Sequence, residues 1–253
     1  MNKSIKDIKA QFETESIQNI KNLINIYKDD NRKGVQHIIK SYENKLLIIE
    51  KQNIKLEQMK KYENEAYLNG KKIIGGIDEV GRGPFAGPVV TCCVILPKDF
   101  DIIGIDDSKK LSEAKRKELF LKIKQNVIEI AINMEHNDII DNINILEATK
   151  KSMLKNIESL KNKPDFLILD AINLNTNIPY ISMPKADEKS VSVAAASIIA
   201  KVTRDEYMEQ MHKIYPQYKF DINKGYGTKE HIQALKKYGP CPIHRKTFIK
   251  NYV

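Results

Sequence analysis

Glycine and proline are distributed unevenly along this chain, and that limits what each part can become. Residues 1–69 hold a single glycine, Gly34, and no proline; the first proline is Pro84. Both residues punctuate secondary structure, so with only the DDNRKG stretch to interrupt it the N-terminal segment is predicted to be two helices joined by a turn. Ile5, Ile8 and Phe12, then Ile17, Ile20, Ile24 and Tyr27, recur at spacings of three and four. Beyond the turn Val35, Tyr42, Ile49 and Leu56 fall seven apart, with Ile39 and Leu46 between them. These spacings give an amphipathic helical hairpin. Packing on a neighbouring helix or domain and gripping nucleic acid or a protein are both open to such an arm.

After Gly70 apolar runs punctuated by glycine and proline alternate with helical patterns, which is the α/β signature. KKIIGGIDEV and PVVTCCVIL read as neighbouring strands, and FLILD as a short apolar strand of the kind found inside a sheet. LSEAKRKELFLKIK reads as a helix capped by Ser112. NDIIDNINILEATKKSMLKNIESLK and SVAAASIIAKVTRDEYM carry helical periods, the second with alanines suited to close packing. The chain therefore divides into a helical extension, 1–70, and an α/β domain, 71–253.

Composition narrows the function classes. No stretch approaches the roughly 18 consecutive apolar residues of a membrane helix, and the N-terminus lacks a secretory apolar centre. The cytoplasm is the expected compartment. Cys92, Cys93 and Cys241 form neither a disulfide framework nor a C-x-x-C metal pair. Forty-two Lys and Arg against 33 Asp and Glu, a formal charge of +9, favour polyanionic partners. The five histidines show no metal-ligand spacing, and GRGPFAG lacks the lysine of a phosphate-binding loop, which argues against an ATPase.

The acids stand where acids cost energy. Asp78 and Glu79 end the run IIGGI, Asp170 ends FLIL, and Asp187 in KADEKS precedes a helix. Ionised carboxylates removed from water need compensation, and like charges raise one another's pKa. A basic side chain or a hard divalent cation would serve. Taken singly, Asp187 also suits a helix N-terminus and Asp170 a turn cap. Glu79 faces away from Asp78 in a regular strand, so a shared cation requires an irregularity or backbone participation there. Gly81-Arg82-Gly83 reads as turn chemistry or as a place where backbone meets a sugar-phosphate chain. Lys109 and Lys110 read as a solvated pair or a phosphate contact, and Tyr226 in KGYGT as a loop aromatic.

In order, GIDEVGRGPFAGPVV, DSKKLS, NILEAT, LILDA, KADEKSVSVAAASIIAKVTRDEYM, GYGT and HRKTF resemble bacterial ribonuclease HII over nearly all of residues 71–248. The resemblance implies a ribonuclease H-like α/β fold. Its parts are a central mixed β-sheet flanked by helices, a helical C-terminal portion and, here, the N-terminal α-helical hairpin. It implies catalytic and metal-binding roles for Asp78, Glu79, Asp170 and Asp187, which would hold two Mg²⁺ or Mn²⁺ ions. It implies that Gly81, Arg82 and Gly83 sense a ribose 2′-hydroxyl, that Lys109 contacts substrate, and that Tyr226 stacks on the following sugar. The implied substrates are RNA/DNA hybrids and DNA duplexes containing ribonucleotides, cut on the 5′ side of the ribonucleotide to leave 3′-hydroxyl and 5′-phosphate ends. A role in ribonucleotide removal during replication and repair follows, with a monomer as the default state. Competing expectations are a non-catalytic basic nucleic-acid binder and a preference for long hybrids like that of ribonuclease HIII, which usually has G-T-G where this chain has G-R-G.

Overall fold

A computed structural model describes residues 3–253, which form two compact units meeting in sequence at Glu57 and Gln58. In the first unit, α1 (Ile5–Thr14), α2 (Ile17–Tyr27) and most of α3 (Lys33–Met59) surround a core of Ile8, Phe12, Ile20, Val35, Ile38 and Ile39. The predicted hairpin is divided further than glycine placement suggests. Glu15 turns extended and the Ser16 hydroxyl accepts the Asn19 amide, so a serine cap starts a new helix without any Gly or Pro.

The short α4 (Lys61–Leu68) belongs to the second unit, where Ala66 packs with Ile74, Ile168, Ala186 and Val193. The chain then runs through β1 (Ile74–Val80), β2 (Val89–Ile95), α5 (Glu113–Asn126), β3 (Glu129–Glu135), α6 (Asn137–Ile143) and α7 (Ile145–Ser159). It continues with β4 (Phe166–Asp170), β5 (Tyr180–Met183), a 3₁₀ turn at Ala186–Glu188, and α8 (Val191–Ile214). The short helices α9 (Phe220–Asn223), α10 (Lys229–Tyr238) and α11 (Lys246–Ile249) complete the helical C-terminal portion. Ser112 caps α5 as expected, its hydroxyl accepting the Lys115 amide. The stretch 137–159 is two helices, because Asn144 adopts φ 67° and its side chain caps α7 by accepting the Leu146 and Glu147 amides.

The five strands form one mixed sheet in the order β3-β2-β1-β4-β5, with β1 at the centre, antiparallel to β2 and parallel to β4. Strand alternation divides β1 between two environments. Ile77 joins Met153 and Ile157 of α7 in one core cluster, whereas Ile74 packs with Val193 of α8 in another. Burying seven consecutive residues of β2 and the alanine-rich start of α8 supplies apolar area on both sides of the sheet. Among the described residues no helix is long and apolar enough to cross a membrane.

Gly76 sets the distance between β1 and α8. A Cβ there would lie 2.3 Å from the carbonyl carbon of Ser192 and 2.6 Å from its oxygen. Backbone cannot yield as a flexible side chain can, so Gly76→Ala is expected to cost at least about 2 kcal/mol as overpacking. A thermal melt of that variant within one degree of the parent would contradict this reading.

Candidate active site

The two central parallel strands deliver acids to one edge of the sheet. Asp78 lies near the end of β1 and is 5% exposed, and Asp170 is the last residue of the adjacent β4. Asp170 accepts the Ala186 amide at 3.0 Å, which ties the 3₁₀ turn carrying Asp187 to the end of β4. Asp187 is itself buried and faces Lys109 at 3.8 Å. Glu79 pairs with the partly exposed Arg82 at 3.3 Å. The structure thus brings together the four predicted acids, Arg82 and Lys109.

The electrostatics show the cost of this arrangement. Burial pushes the Asp78 carboxyl well above the usual range, and the charges of Glu79 and Asp170 add to it against hydrogen bonds from Ser197 and the Glu79 amide. Burial raises Glu79 to about 6 despite Arg82. Burial, then Asp107 and Asp170, raise Asp187 to about 6. Asp107 is a buried acid that sequence reasoning passed over, and it accepts the Lys109 amide at 2.9 Å. Its position in the polar run DDSKK gives no local sign of burial.

Divalent cations suit this donor chemistry. Glu79 Oε2 is buried without a hydrogen-bond partner, and carboxylate oxygens are the ligands hard cations prefer. As they stand, no three described His, Cys, Asp or Glu side chains are arranged to hold one ion. Alternation along β1 sends Asp78 and Glu79 to opposite faces, and mutual repulsion favours wider spacing. Side-chain rotation around a cation would have to close that gap.

Beside the acids, residues 81–88 form a loop whose shape is imposed by two buried arginines that sequence reasoning did not single out. Arg245 donates to the carbonyls of Gly81 at 2.6 Å, Arg82 at 2.8 Å and Gly87 at 2.8 and 3.0 Å. Arg204 donates to Pro88 and Ala86 at 3.0 and 3.1 Å, and to Lys224 at 2.9 Å. Burial lowers their pKa values, to about 9 and about 10, which leaves both charged at neutral pH. In a trans peptide the N–H points opposite to the C=O. With the Gly81 and Arg82 carbonyls turned onto Arg245, the amides of Arg82 and Gly83 are turned away from it. Gly81, at φ +91°, has no room for a side chain, since a Cβ would lie 2.2 Å from Arg204 Nε. A Cβ at Gly83 would sit 3.8 Å from the ring of Tyr226, which is 45% exposed, so the predicted sugar-contacting residues adjoin one another.

The family model described as Ribonuclease HII matches residues 75–251, and that described as Ribonuclease HII N-terminal domain matches residues 4–67. A ribonuclease HII of Clostridioides difficile strain 630 is 48% identical over 250 residues, 98% of each chain. That of Acetivibrio thermocellus is 48% identical over 253 residues, covering 100% of this chain and 99% of its own. The crystal structure of ribonuclease H2 from Pyrococcus horikoshii OT3 superposes with a TM-score of 0.63 at 28% identity, covering 72% of this chain and 97% of that one.

The raised carboxyl pKa values carry a stability consequence with a definite sign. A group whose folded pKa lies above its unfolded value binds protons more tightly when folded. Without divalent ions, the contribution of Glu79 and Asp187 to stability should therefore improve as pH falls through about 6 toward their unfolded range. Glu79→Gln should raise the melting temperature at pH 7.5 by a few degrees, on the order of 1–2 kcal/mol. Melting curves in EDTA at pH 7.5 and 5.5 check both, and a destabilised Glu79→Gln protein would count against the repulsive site.

Proposed function

The chain belongs to the ribonuclease HII family and is a ribonuclease H, and from that premise we propose that it cuts on the 5′ side of ribonucleotides in duplex DNA and within RNA/DNA hybrids. The products are 3′-hydroxyl and 5′-phosphate ends, and the cellular task is removal of ribonucleotides during replication and repair. The observation that carries this reading is the meeting of buried, mutually repelling acids at the strand ends with a loop whose Arg82 and Gly83 amides face away from Arg245. A protein that only bound polyanions would gain nothing from carboxylates gathered beside its substrate.

Asp78, Glu79, Asp170 and Asp187 are the catalytic and metal-binding residues of this proposal. They would hold two Mg²⁺ or Mn²⁺ ions, which would supply activation of the attacking water and charge stabilisation of the leaving 3′-oxygen. Lys109, 78% exposed in its side chain and beside Asp187, is free to reach a phosphate next to the cut. Arg82 offsets part of the Glu79 charge and adds positive charge at the substrate edge. The Arg82 and Gly83 amides donate toward the ribose 2′-hydroxyl, which lets the loop distinguish ribose from deoxyribose. Tyr226, exposed beside Gly83, offers its ring to the sugar that follows.

Residues 1–70 form the extension and residues 71–253 the catalytic domain in this proposal, although α4 shares the core of the second unit. The three free cysteines are in keeping with a reducing cytoplasm, and a monomer suffices for the site.

Asp78→Asn is expected to abolish cleavage of a duplex containing one ribonucleotide while leaving binding within severalfold of the parent. EDTA should stop the parent enzyme on the same duplex, and end-group analysis should find 3′-hydroxyl and 5′-phosphate termini. Turnover by Asp78→Asn, or cyclic phosphate at the cut, would refute the proposed chemistry.

A further inference from the structure

The C-terminal portion buries two histidines against each other in a setting that the proposed chemistry does not use. His231 and His244 are 0% and 2% exposed, with their Nε2 atoms 2.9 Å apart. They sit among Phe85, Tyr218 and Phe220, with ring centroids 4.9–6.1 Å away. Such a cage disfavours charge, and burial lowers both pKa values, that of His244 to about 4.

Neutral rings in this position have only one consistent proton arrangement. The Tyr226 carbonyl can only accept, so it needs a proton on His231 Nδ1, and the Cys241 amide can only donate, so His244 Nδ1, 2.9 Å away, accepts from it rather than donating to the Cys241 carbonyl at 3.3 Å. His244 therefore carries its proton on Nε2 and donates it to His231 Nε2. His231 in turn carries its proton on Nδ1, which lies 2.9 Å from the carbonyl oxygen of Tyr226. The pair forms a directed chain of donors, from the backbone of residue 241 through two rings to the backbone of Tyr226.

Both ends of this chain matter to the proposed substrate contacts. Tyr226 is the residue assigned to the sugar after the ribonucleotide. The segment holding His244 also holds Arg245, which grips the Gly81 and Arg82 carbonyls. Ala86 and His244 form an isolated antiparallel bridge, the Gly87 amide donates to Ile243, and the Arg245 amide donates to Phe85. One short segment, 241–245, thus fastens the loop that meets the 2′-hydroxyl and, through the histidines, the loop that presents the stacking ring.

We infer that His231, held by His244, is a positioning residue that sets Tyr226 relative to the Gly81-Arg82-Gly83 loop and so sets the preference for an RNA–DNA junction. The inference rests on the proposed role of Tyr226. Neither histidine touches the acids in this scheme, so hydrolysis of a continuous hybrid does not depend on the pair.

The side chains of asparagine and glutamine separate the two ring nitrogens. In His231→Asn the amide nitrogen falls near the Nδ1 position and keeps the donor to Tyr226. In His231→Gln it falls near Nε2 and loses that donor. The readout is the ratio of kcat/KM on a single-ribonucleotide duplex to that on a continuous RNA/DNA hybrid, with melting temperature measured alongside. His231→Gln should lower this ratio roughly three- to tenfold, as for one lost neutral hydrogen bond. Its kcat on the continuous hybrid should stay within about twofold. His231→Asn should restore most of the ratio. In a Tyr226→Ala background, which itself should lower the ratio, His231→Gln should add nothing. If Tyr226→Ala leaves the ratio unchanged, the stacking role fails. If Tyr226→Ala lowers it but His231→Gln does not, or the two effects add, or His231→Asn falls as far as His231→Gln, the positioning role is overturned. Should His231→Gln not fold, His244→Asn removes the Nε2 donor while leaving an acceptor for Cys241, and the same fall in ratio is expected.

Discussion

The close approach of α8 to β1 is the contact on which the rest of the second unit depends. Gly76 lets the helix backbone sit against the strand, and the alanines that follow keep it there. From that fixed point α8 acts as a ruler along the site. At its start Ser190 and Ser192 donate to the buried carboxylate of Glu63 on α4, just after the turn that carries Asp187. One to two turns on, Ser197 reaches Asp78 and Ser108. Two turns further, Arg204 grips the loop after β1, and Met208 lies against Gly87 and Gly225. A change in helix–strand spacing would move all of these together.

Charge in this protein is buried in two contrasting ways. The acids at the strand ends are under-compensated: Glu79 Oε2 has no partner and Asp78 has burial and neighbouring charge against it. Such groups are unstable as anions and receptive to cations. The arginines beneath the loop are compensated, but by carbonyl oxygens rather than carboxylates. A guanidinium offers five donors in a fixed plane, so one side chain can hold several carbonyls at defined angles. Lysine, with a single mobile ammonium, could not impose the same loop shape. The first kind of burial stores reactivity and the second stores geometry.

These two devices meet at Gly81-Arg82-Gly83. The Gly81 and Arg82 carbonyls belong to the structural network below, the Arg82 and Gly83 amides face the other way, and the Arg82 side chain pairs with an acid of the site. Recognition and chemistry therefore share one covalent segment, only a few residues from Asp78. Tyr226 arrives from a loop almost 150 positions later, brought in because Gly225 and the loop residues around Phe85 share hydrogen bonds.

Much of this was legible in the amino-acid order. The α/β alternation, the central place of IIGGIDEV and the cap at Ser112 follow from short-range pattern, and the cost of carboxylates at the ends of apolar strands drew attention to Asp78, Glu79 and Asp170. Asp187, ahead of a helix, joined them as a set only through the family resemblance. The break at Ser16 was harder, because a serine cap ends one helix and begins another without glycine or proline. Asp107, Arg204, Arg245 and the histidine pair were hidden for a different reason. Polar residues in polar or amphipathic stretches look solvated until the fold shows what covers them. The sequence by itself determined which groups would be costly to bury, since desolvation belongs to the residue type. Only the tertiary structure decided which partners meet that cost, because for Glu63, Arg204 and Arg245 main partners come from segments more than a hundred residues away.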